Sequence, residues 1–302
     1  MKKSNNISLK NDYAFTQIMK QPKILRGFLS SILHIPPEKI GTIHIKDRHL
    51  SKDLLEGKLS ILDLYTVVEG TGKINIEMQV LPYTHWDRRS MSYLAKVYTQ
   101  DLKSGEAYAN CVKTIHISIL GFNQLADTDY FYSSFHMRED SRHSLYSDQW
   151  EIHVIELPKL NSSKVKEEHK KLYQWACFIC AEGEEERAMI ENPYIEEAIR
   201  ELELLERDPE RMDEYLFRQK NLSDYVTQME YSREEGLKEG EYTKVIDLVQ
   251  KKMQRGKTEA EIADALEEDP QTIASICRMI RLYPSSSKEE IYKAWQNKPG
   301  TD

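Results

Sequence analysis

Short apolar runs with strand character occupy only the first half of this 302-residue chain. Runs rich in Ile, Val, Tyr or Leu predict β-strands at residues 42–50, 59–68, 73–81, 112–120, 130–136 and 150–157. Apolar residues spaced three and four apart predict a helix over residues 9–33, and a second helix is predicted over 86–103. This order, a helix, three strands, a helix and further strands, predicts a mixed α/β domain over residues 1–160.

The second half of the chain is predicted to be helical. Amphipathic stretches near residues 164–182, 193–206, 209–231 and 241–254 predict an acidic helical region over residues 161–254. A Glu/Gly repeat at residues 234–241 lowers helix propensity, and it predicts either an exposed joint or a pairing helix. Within residues 255–302 we predict two short helices joined by an acidic turn, which is the outline of a helix-turn-helix.

The acidic character of this last hairpin bears on its role. Glu259, Glu261, Asp264 and the acidic run at 267–269 would repel phosphate groups, which argues against DNA binding by the hairpin. A hairpin that packs or dimerises is therefore favoured, and a homodimer formed through the C-terminal helices is one expectation.

Charge is distributed unequally between the two halves. Residues 1–160 hold 20 basic and 18 acidic residues, a net charge of +2, whereas residues 161–302 hold 22 and 32, a net charge of −10. Eight of the nine histidines also lie in the first 160 residues. We therefore expect any anion-binding chemistry in the N-terminal half.

The sequence excludes several classes of protein. No apolar run approaches the roughly 18 residues of a membrane span, and residues 1–6 lead into no signal-like apolar stretch. We therefore expect a cytoplasmic protein with no membrane partner. Four cysteines in a chain of this length indicate no disulfide framework, and Cys177 and Cys180 have no second pair of ligands nearby that would complete a zinc site.

A predicted β-hairpin brings polar side chains together. It consists of residues 59–68 and 73–81 with a Gly-containing turn between them. In its second strand apolar residues alternate with Asn75, Glu77 and Gln79, so these three share one face. A turn centred at residue 70 or 71 places Asp63 opposite Glu77 or Gln79, with Cβ atoms about 5 Å apart.

Two carboxylates at that separation need compensation, because they repel by roughly 3 kcal/mol at an effective dielectric constant near 20. A divalent cation such as Mg²⁺ compensates well, since it prefers carboxylate and amide oxygens. Lys58, Arg88 or Arg89 would compensate instead in a structural ion-pair network. A third interpretation is a solvated sheet face on which Asp63 and Glu77 never meet. The residues alone leave these three interpretations open.

The arrangement Asp63-x13-Glu77-x-Gln79, with a helix before it and an α-then-β segment after it, resembles the PD-(D/E)xK nuclease superfamily. More narrowly, the chain is similar to the Rpn group of recombination-promoting nucleases, also described as putative transposases. The similarity extends over residues 9–15, 58–79, 88–93, 105–108 and 155–159 and over the Glu/Gly repeat. It implies a restriction-endonuclease-like mixed sheet core (αβββαβ) followed by an α-helical C-terminal region.

The resemblance also implies an activity. Families of this kind are divalent-metal-dependent DNA endonucleases that hydrolyse phosphodiester bonds, with Mg²⁺ or Mn²⁺ as the cofactor and DNA as the partner. It places the catalytic residues at Asp63, Glu77 and Gln79, and the metal ligands at Asp63 and Glu77. Gln79 stands where the wider superfamily usually has lysine, and glutamine supplies hydrogen bonds but no charge. A catalytically inactive DNA- or protein-binding member of the same fold is therefore the alternative.

The missing lysine charge has candidate replacements. Lys58, Arg88 and Arg89 flank the hairpin and are candidates for binding the DNA backbone. Asp12 in the first helix is a candidate additional acid, with a first-turn or capping role as the simpler interpretation. Leu62 stands where the superfamily name has proline, a position that contributes shape rather than chemistry.

Overall fold

The computed structural model describes residues 7–46, 63–102, 107–162 and 164–296. The chain divides into two compact units, Met1–Gln219 and Lys220–Asp302. Among the described residues, no helix combines the length and the apolar character needed to cross a membrane.

The first unit contains, within its described part, one mixed sheet of six strands in the order β1-β2-β3-β4-β6-β5. The strands are β1 (Ile43–Ile45), β2 (Leu64–Val68), β3 (Gly72–Gln79), β4 (Thr114–Leu120), β5 (Tyr132–Arg138) and β6 (Leu145–Glu156). β2 and β3 form an antiparallel hairpin, whereas β3, β4 and β6 are parallel neighbours. Parallel strands are usually covered on both faces, and β3 and β4 are accordingly buried along nearly their whole length.

The helices of the described chain flank the sheet and then follow it. They are α1 (Asp12–Met19), α2 (Pro22–Leu33), α3 (Trp86–Thr99), α4 (Lys170–Cys180), α5 (Glu184–Ala188), α6 (Pro193–Arg207), α7 (Pro209–Gln254), α8 (Glu259–Leu266), α9 (Pro270–Leu282) and α10 (Lys288–Gln296). The mixed α/β architecture with a helical C-terminal region confirms the predicted fold class.

The prediction of a single helix over residues 9–33 is wrong, because the segment forms two helices. α1 ends at Met19, and Pro22 occupies the first position of α2. Proline lacks the backbone N–H and collides with the preceding turn of a continuous helix, whereas its fixed φ suits a helix start. The break turns α2 onto the sheet, where Phe28 meets Trp175 of α4 edge to face at 5.7 Å.

The two faces of the sheet differ in chemistry. One face carries isoleucines of β3, β4 and β6 and packs against α1, α2, α4 and α6 in the main hydrophobic core. Burial of each such side chain contributes about 1.5–3 kcal/mol. The other face lies under α3 and carries four buried polar side chains, those of Asn75, Glu77, His116 and Ser118. This polar face is where the candidate site lies.

In the second unit α8 and α9 form the hairpin that the sequence predicts. The Thr258 side chain accepts from the backbone N–H of Glu261, whose side chain accepts from the Thr258 N–H in return, so α8 begins with a capping box. Asp269 caps α9 by accepting from the Thr272 N–H at 2.8 Å. Two of the acids of this hairpin therefore have local structural roles. Ile246 and Val249 of α7 pack in its core together with Ile291 of α10, a helix that the sequence analysis missed.

The Glu/Gly repeat does not interrupt the helix. α7 is continuous over 46 residues, where separate helical stretches at 209–231 and 241–254 were predicted. Gly236 and Gly240 lie inside it, and a Cβ added at either would have no neighbour within 4 Å among the described residues. Glycine lowers helix propensity by about 1 kcal/mol per residue, which the rest of the repeat, rich in good helix formers, tolerates.

Candidate active site

The β2–β3 hairpin brings Asp63 against Glu77. Leu64 pairs with Ile76, so the register places Asp63, the residue before β2, beside Glu77. The Asp63 N–H donates to Glu77 Oε1 at 3.3 Å, and the Met78 N–H donates to Asp63 Oδ2 at 2.9 Å. The sequence left Glu77 and Gln79 open as the partner of Asp63, and in the structure the partner is Glu77.

The turn fixes that register. Gly70 and Gly72 have φ of 72° and 135°, in the region that favours glycine. A Cβ on Gly72 would collide with the carbonyl oxygen of Lys113, because β3 begins in close contact with the strand beside it. A shift of one residue would move Glu77 to the opposite face of the sheet, so this turn determines where the carboxylates meet.

Burial and the neighbouring carboxylate of Asp63 disfavour the ionised form of Glu77. Its side chain is almost fully buried. Burial first, and then the charge of Asp63, raise the pKa of Glu77 well above its ordinary value. A hydrogen bond from the Asn75 side chain and the charge of Arg89 act in the opposite direction without cancelling the rise. A cation at this position would relieve the electrostatic cost.

A hydrogen-bonded chain of buried polar groups continues from Glu77 beneath α3. Asn75 Nδ2 lies 3.1 Å from His116 Nδ1, and His116 Nε2 lies 3.0 Å from Ser118 Oγ. Trp86 Nε1 at the start of α3 donates to the same Ser118 Oγ at 3.1 Å. Burial lowers the pKa of His116 to about 3, so this imidazole is neutral at physiological pH.

The neighbouring arginines of α3 have different surroundings. Arg88 is exposed. The Arg89 guanidinium lies 4.9 Å from the Tyr83 ring centroid and 5.3 Å from those of Trp86 and Tyr93, and its Nε donates to the Tyr93 hydroxyl at 2.8 Å. Its charge also lowers the pKa of Glu77. The third predicted DNA-binding residue, Lys58, lies outside the described residues.

The donor set of the Asp63–Glu77 pair suits a hard divalent cation. Two carboxylates with several waters is a usual way for a protein to hold Mg²⁺. No group of three or more His, Cys, Asp or Glu side chains in the described ranges is arranged to hold a metal ion, so this pair has no preformed third ligand of those types there. The electrostatic cost of ionising buried Glu77 beside Asp63 is the observation that a cation would fit.

The comparison with protein families agrees with this geometry. The family model described as PD-(D/E)XK nuclease family transposase matches residues 9–232. The chain belongs to this family. No curated protein and no solved structure matches the chain.

Membership of the PD-(D/E)XK nuclease family transposases confirms the resemblance found in the sequence, and it indicates a nuclease or transposase-like function. The matched region contains the whole sheet and the first half of α7. It therefore covers the acidic pair, α3 and Arg218 of α7.

In this PD-(D/E)XK chain, position 79 has glutamine where the superfamily usually has lysine, and its side chain contacts the loop after β3. Gln79 ends β3 half-buried, and its Nε2 donates to the carbonyl oxygen of Leu81 at 2.9 Å. The amide nitrogen is thus held by the loop that follows the strand. Charge near the acidic pair comes from arginine instead.

Arg218 is such an arginine, and the sequence analysis missed it. It lies on α7, where its Nη1 is 3.6 Å from Asp12 Oδ2 and its Nε donates to Glu214 at 2.8 Å. The hydrogen bond to Glu214 is the main cause that raises the pKa of Arg218, and the charges of Asp12 and Asp63 act in the same direction. Asp12 also accepts from the Tyr13 N–H at 2.8 Å, as a first-turn acid does.

Proposed function

We propose that this protein is a divalent-metal-dependent DNA endonuclease that hydrolyses phosphodiester bonds, of the mobile-element or recombination-promoting type. The observation that carries the proposal is the contact between Asp63 and buried Glu77, within the region that matches a nuclease family. Net charge of −8 does not oppose it, because the local field rather than the net charge decides phosphate binding.

Asp63 and Glu77 would hold Mg²⁺ or Mn²⁺ through carboxylate oxygens. When bound, the ion would lower the pKa of a coordinated water and neutralise phosphate oxygens. A cation bound there would favour the ionised form of Glu77, against the burial and the Asp63 charge that raise its pKa. Asp12, which lies 3.6 Å from Arg218, would act as the additional acid.

Gln79 would orient the attacking water through its amide, which supplies hydrogen bonds but no charge. The positive charge that lysine gives to related sites would come from Arg89 and Arg218, whose charges act on Glu77 and Asp63 respectively. Arg88 and Lys58 would bind the DNA backbone.

Cleavage of supercoiled plasmid by the purified chain, with Mg²⁺, Mn²⁺ or EDTA, tests the proposal. We expect metal-dependent nicking, lost in Asp63→Asn and in Glu77→Gln and retained in Asp140→Asn, which removes an exposed carboxylate from the β5–β6 connection. Thermal unfolding would establish that each variant is folded.

Two results would overturn the proposal. Nicking that persists in Asp63→Asn would place the activity elsewhere. A folded protein that cuts under no metal but still binds DNA or a protein would support the catalytically inactive alternative, which the absence of lysine at position 79 favours.

A further inference from the structure

An open cleft lies at the carboxyl ends of β3, the strand that carries Glu77, and β4. Residues 82–87 form one side, residues 122–125 form the other, and the volume is about 550 Å³. The Gly121 N–H donates to the Gln79 carbonyl oxygen at 2.9 Å, so the two sides diverge from one fixed point. A volume of this size is typical of small-ligand sites in proteins.

The walls of the cleft present aromatic rings. Tyr83 is 45% exposed, yet its ring is held between two neighbours: the Arg89 guanidinium at 4.9 Å and the Trp86 ring, edge to face, at 6.4 Å. Phe122 lies on the opposite wall and packs against the Trp86 cluster. A tyrosine that is fixed in orientation and still accessible offers a stacking platform.

The cleft also contains an acceptor without a partner. Gln124 Oε1 is buried and has no hydrogen-bond partner among the described residues. The backbone around it is fixed, because Glu156 Oε1 accepts from the N–H groups of Gln124 and Leu125 at 2.6 and 3.0 Å. A buried, unpaired carbonyl oxygen is energetically unfavourable. A rotation of the Gln124 side chain that brings this oxygen to a donor in the cleft would relieve that cost.

We propose that this cleft binds one unpaired nucleobase of DNA, stacked on Tyr83 with an edge N–H donating to Gln124. Amino and ring N–H groups at base edges are the donors that an amide oxygen recognises. Arg89 connects the cleft to the cleavage site, since its guanidinium contacts Tyr83 while its charge acts on Glu77. This inference rests on the proposed function in taking DNA as the substrate, and it adds that the substrate has a base outside the duplex.

Binding of the full-length chain to three labelled duplexes tests the inference, with fluorescence anisotropy in EDTA so that no cleavage occurs. The duplexes are fully paired, with one bulged base, and with one bulged abasic residue. We expect the bulged base to bind about tenfold more tightly than the other two, which is the value of one base–aromatic stack. Tyr83→Ala and Gln124→Leu should each reduce that preference, and Tyr83→Phe should keep it.

Tyr130→Ala is the matched control, because Tyr130 is 46% exposed and lies outside the cleft. Equal affinity for the bulged base and the bulged abasic residue would overturn the inference, as would a preference that survives Tyr83→Ala. The two proposals fail separately. If the parent chain prefers the bulged base but does not cut with any metal, only the endonuclease proposal is overturned. If it cuts with metal but shows no base preference, only the base-binding proposal is overturned.

Discussion

Arg88 and Arg89 are adjacent on α3 and have different surroundings. Arg89 contacts three aromatic rings and the Tyr93 hydroxyl, whereas Arg88 is exposed. A cation over an aromatic ring contributes about 0.5–2 kcal/mol, and a charge that lowers the pKa of Glu77 also stabilises its ionised form.

Arg89→Ala should therefore lower the free energy of unfolding by about 1–2 kcal/mol and reduce plasmid cleavage. Arg88→Ala should change the unfolding free energy by less than about 0.5 kcal/mol. Urea unfolding and a plasmid assay on the two variants provide the measurement. Equal effects of the two substitutions would contradict the environments described for them.

The sequence predicted one part of the site better than the rest. Alternation in β3 and a glycine turn were sufficient to bring Asp63 near Glu77, because both lie in one local hairpin. Arg88 and Arg89 could not be told apart, since the rotation of α3 about its axis depends on how it packs on the sheet. Arg218 was missed because it approaches from α7, far away in the chain and within an acidic segment.

Among the elements, a buried ion pair at the end of β6 also holds the loop after β4, since both of its side chains hydrogen-bond to the backbone of that loop. Glu156 Oε2 lies 2.7 Å from Lys159 Nζ, and the two side chains are 1% and 7% exposed. Lys159 Nζ also donates to the Leu125 carbonyl oxygen at 2.6 Å. Removing one partner would leave the other charge buried and unpaired, which costs about 3–5 kcal/mol.

We expect Glu156→Gln to reduce the free energy of unfolding by about 3 kcal/mol. The exposed pair between Glu167 and Lys170 has the same spacing in sequence, so Glu167→Gln serves as its control, with a change below about 1 kcal/mol. Chemical denaturation measures both. A loss below 1 kcal/mol in Glu156→Gln would mean that the loop does not depend on this pair.

Buried histidines on neighbouring parallel strands make stability depend on pH. Burial lowers the pKa of His116 on β4 to about 3, and burial also lowers the pKa of His153 on β6, although Glu151 acts in the opposite direction. In the unfolded chain histidine has a pKa near 6.5, so the unfolded state binds protons that the folded state does not. Their contribution is complete above about pH 6.5 and decreases as the pH falls.

Between pH 7 and pH 5, protonation of His116 in the unfolded state should cost about 2 kcal/mol of stability. Urea unfolding of the parent chain and of His116→Asn at both pH values isolates this term, because Glu77, whose raised pKa acts in the opposite sense, is present in both. The variant should lose stability less steeply than the parent. Parallel decreases would exclude His116 as the source.

The predicted elements agree with the structure where the sequence carries a local signal. The order of the six strands and of α3 among them was correct, because alternation and helical spacing are properties of adjacent residues. The break at Pro22 was overlooked although the signal is local, since proline inside a helix costs about 3 kcal/mol. The Glu/Gly repeat left a joint and a helix open, and the neighbouring helix formers keep α7 continuous through Gly236 and Gly240.

At the scale of the whole molecule, the described chain contains a separate hydrophobic core in each unit. The first includes Trp175, Met212 and Tyr215, so α7 completes it before Gln219. The second is formed by residues from Ile246 onward. Because the two cores are separate, the proposed cleavage and the expected self-association can be tested on different parts of the chain.

The second unit is the expected site of dimerisation. Tyr225, Met229 and Leu237 on its part of α7 are each more than half exposed, which is unusual for large apolar side chains on one helix. A homodimer would bring two phosphodiesterase sites to the two strands of DNA. A chain acting alone would cut one strand for each encounter.

We therefore expect the full-length chain to have the mass of a dimer in light scattering and the fragment 1–219 to have the mass of a monomer. With Mg²⁺ and plasmid, the full chain should produce linear DNA early, whereas the fragment should produce nicked circles first. Circular dichroism of the fragment would establish that it is folded. A full-length chain that stays monomeric over the concentrations of the cleavage assay would contradict the dimer, and both strands would then have to be cut by successive binding at one site.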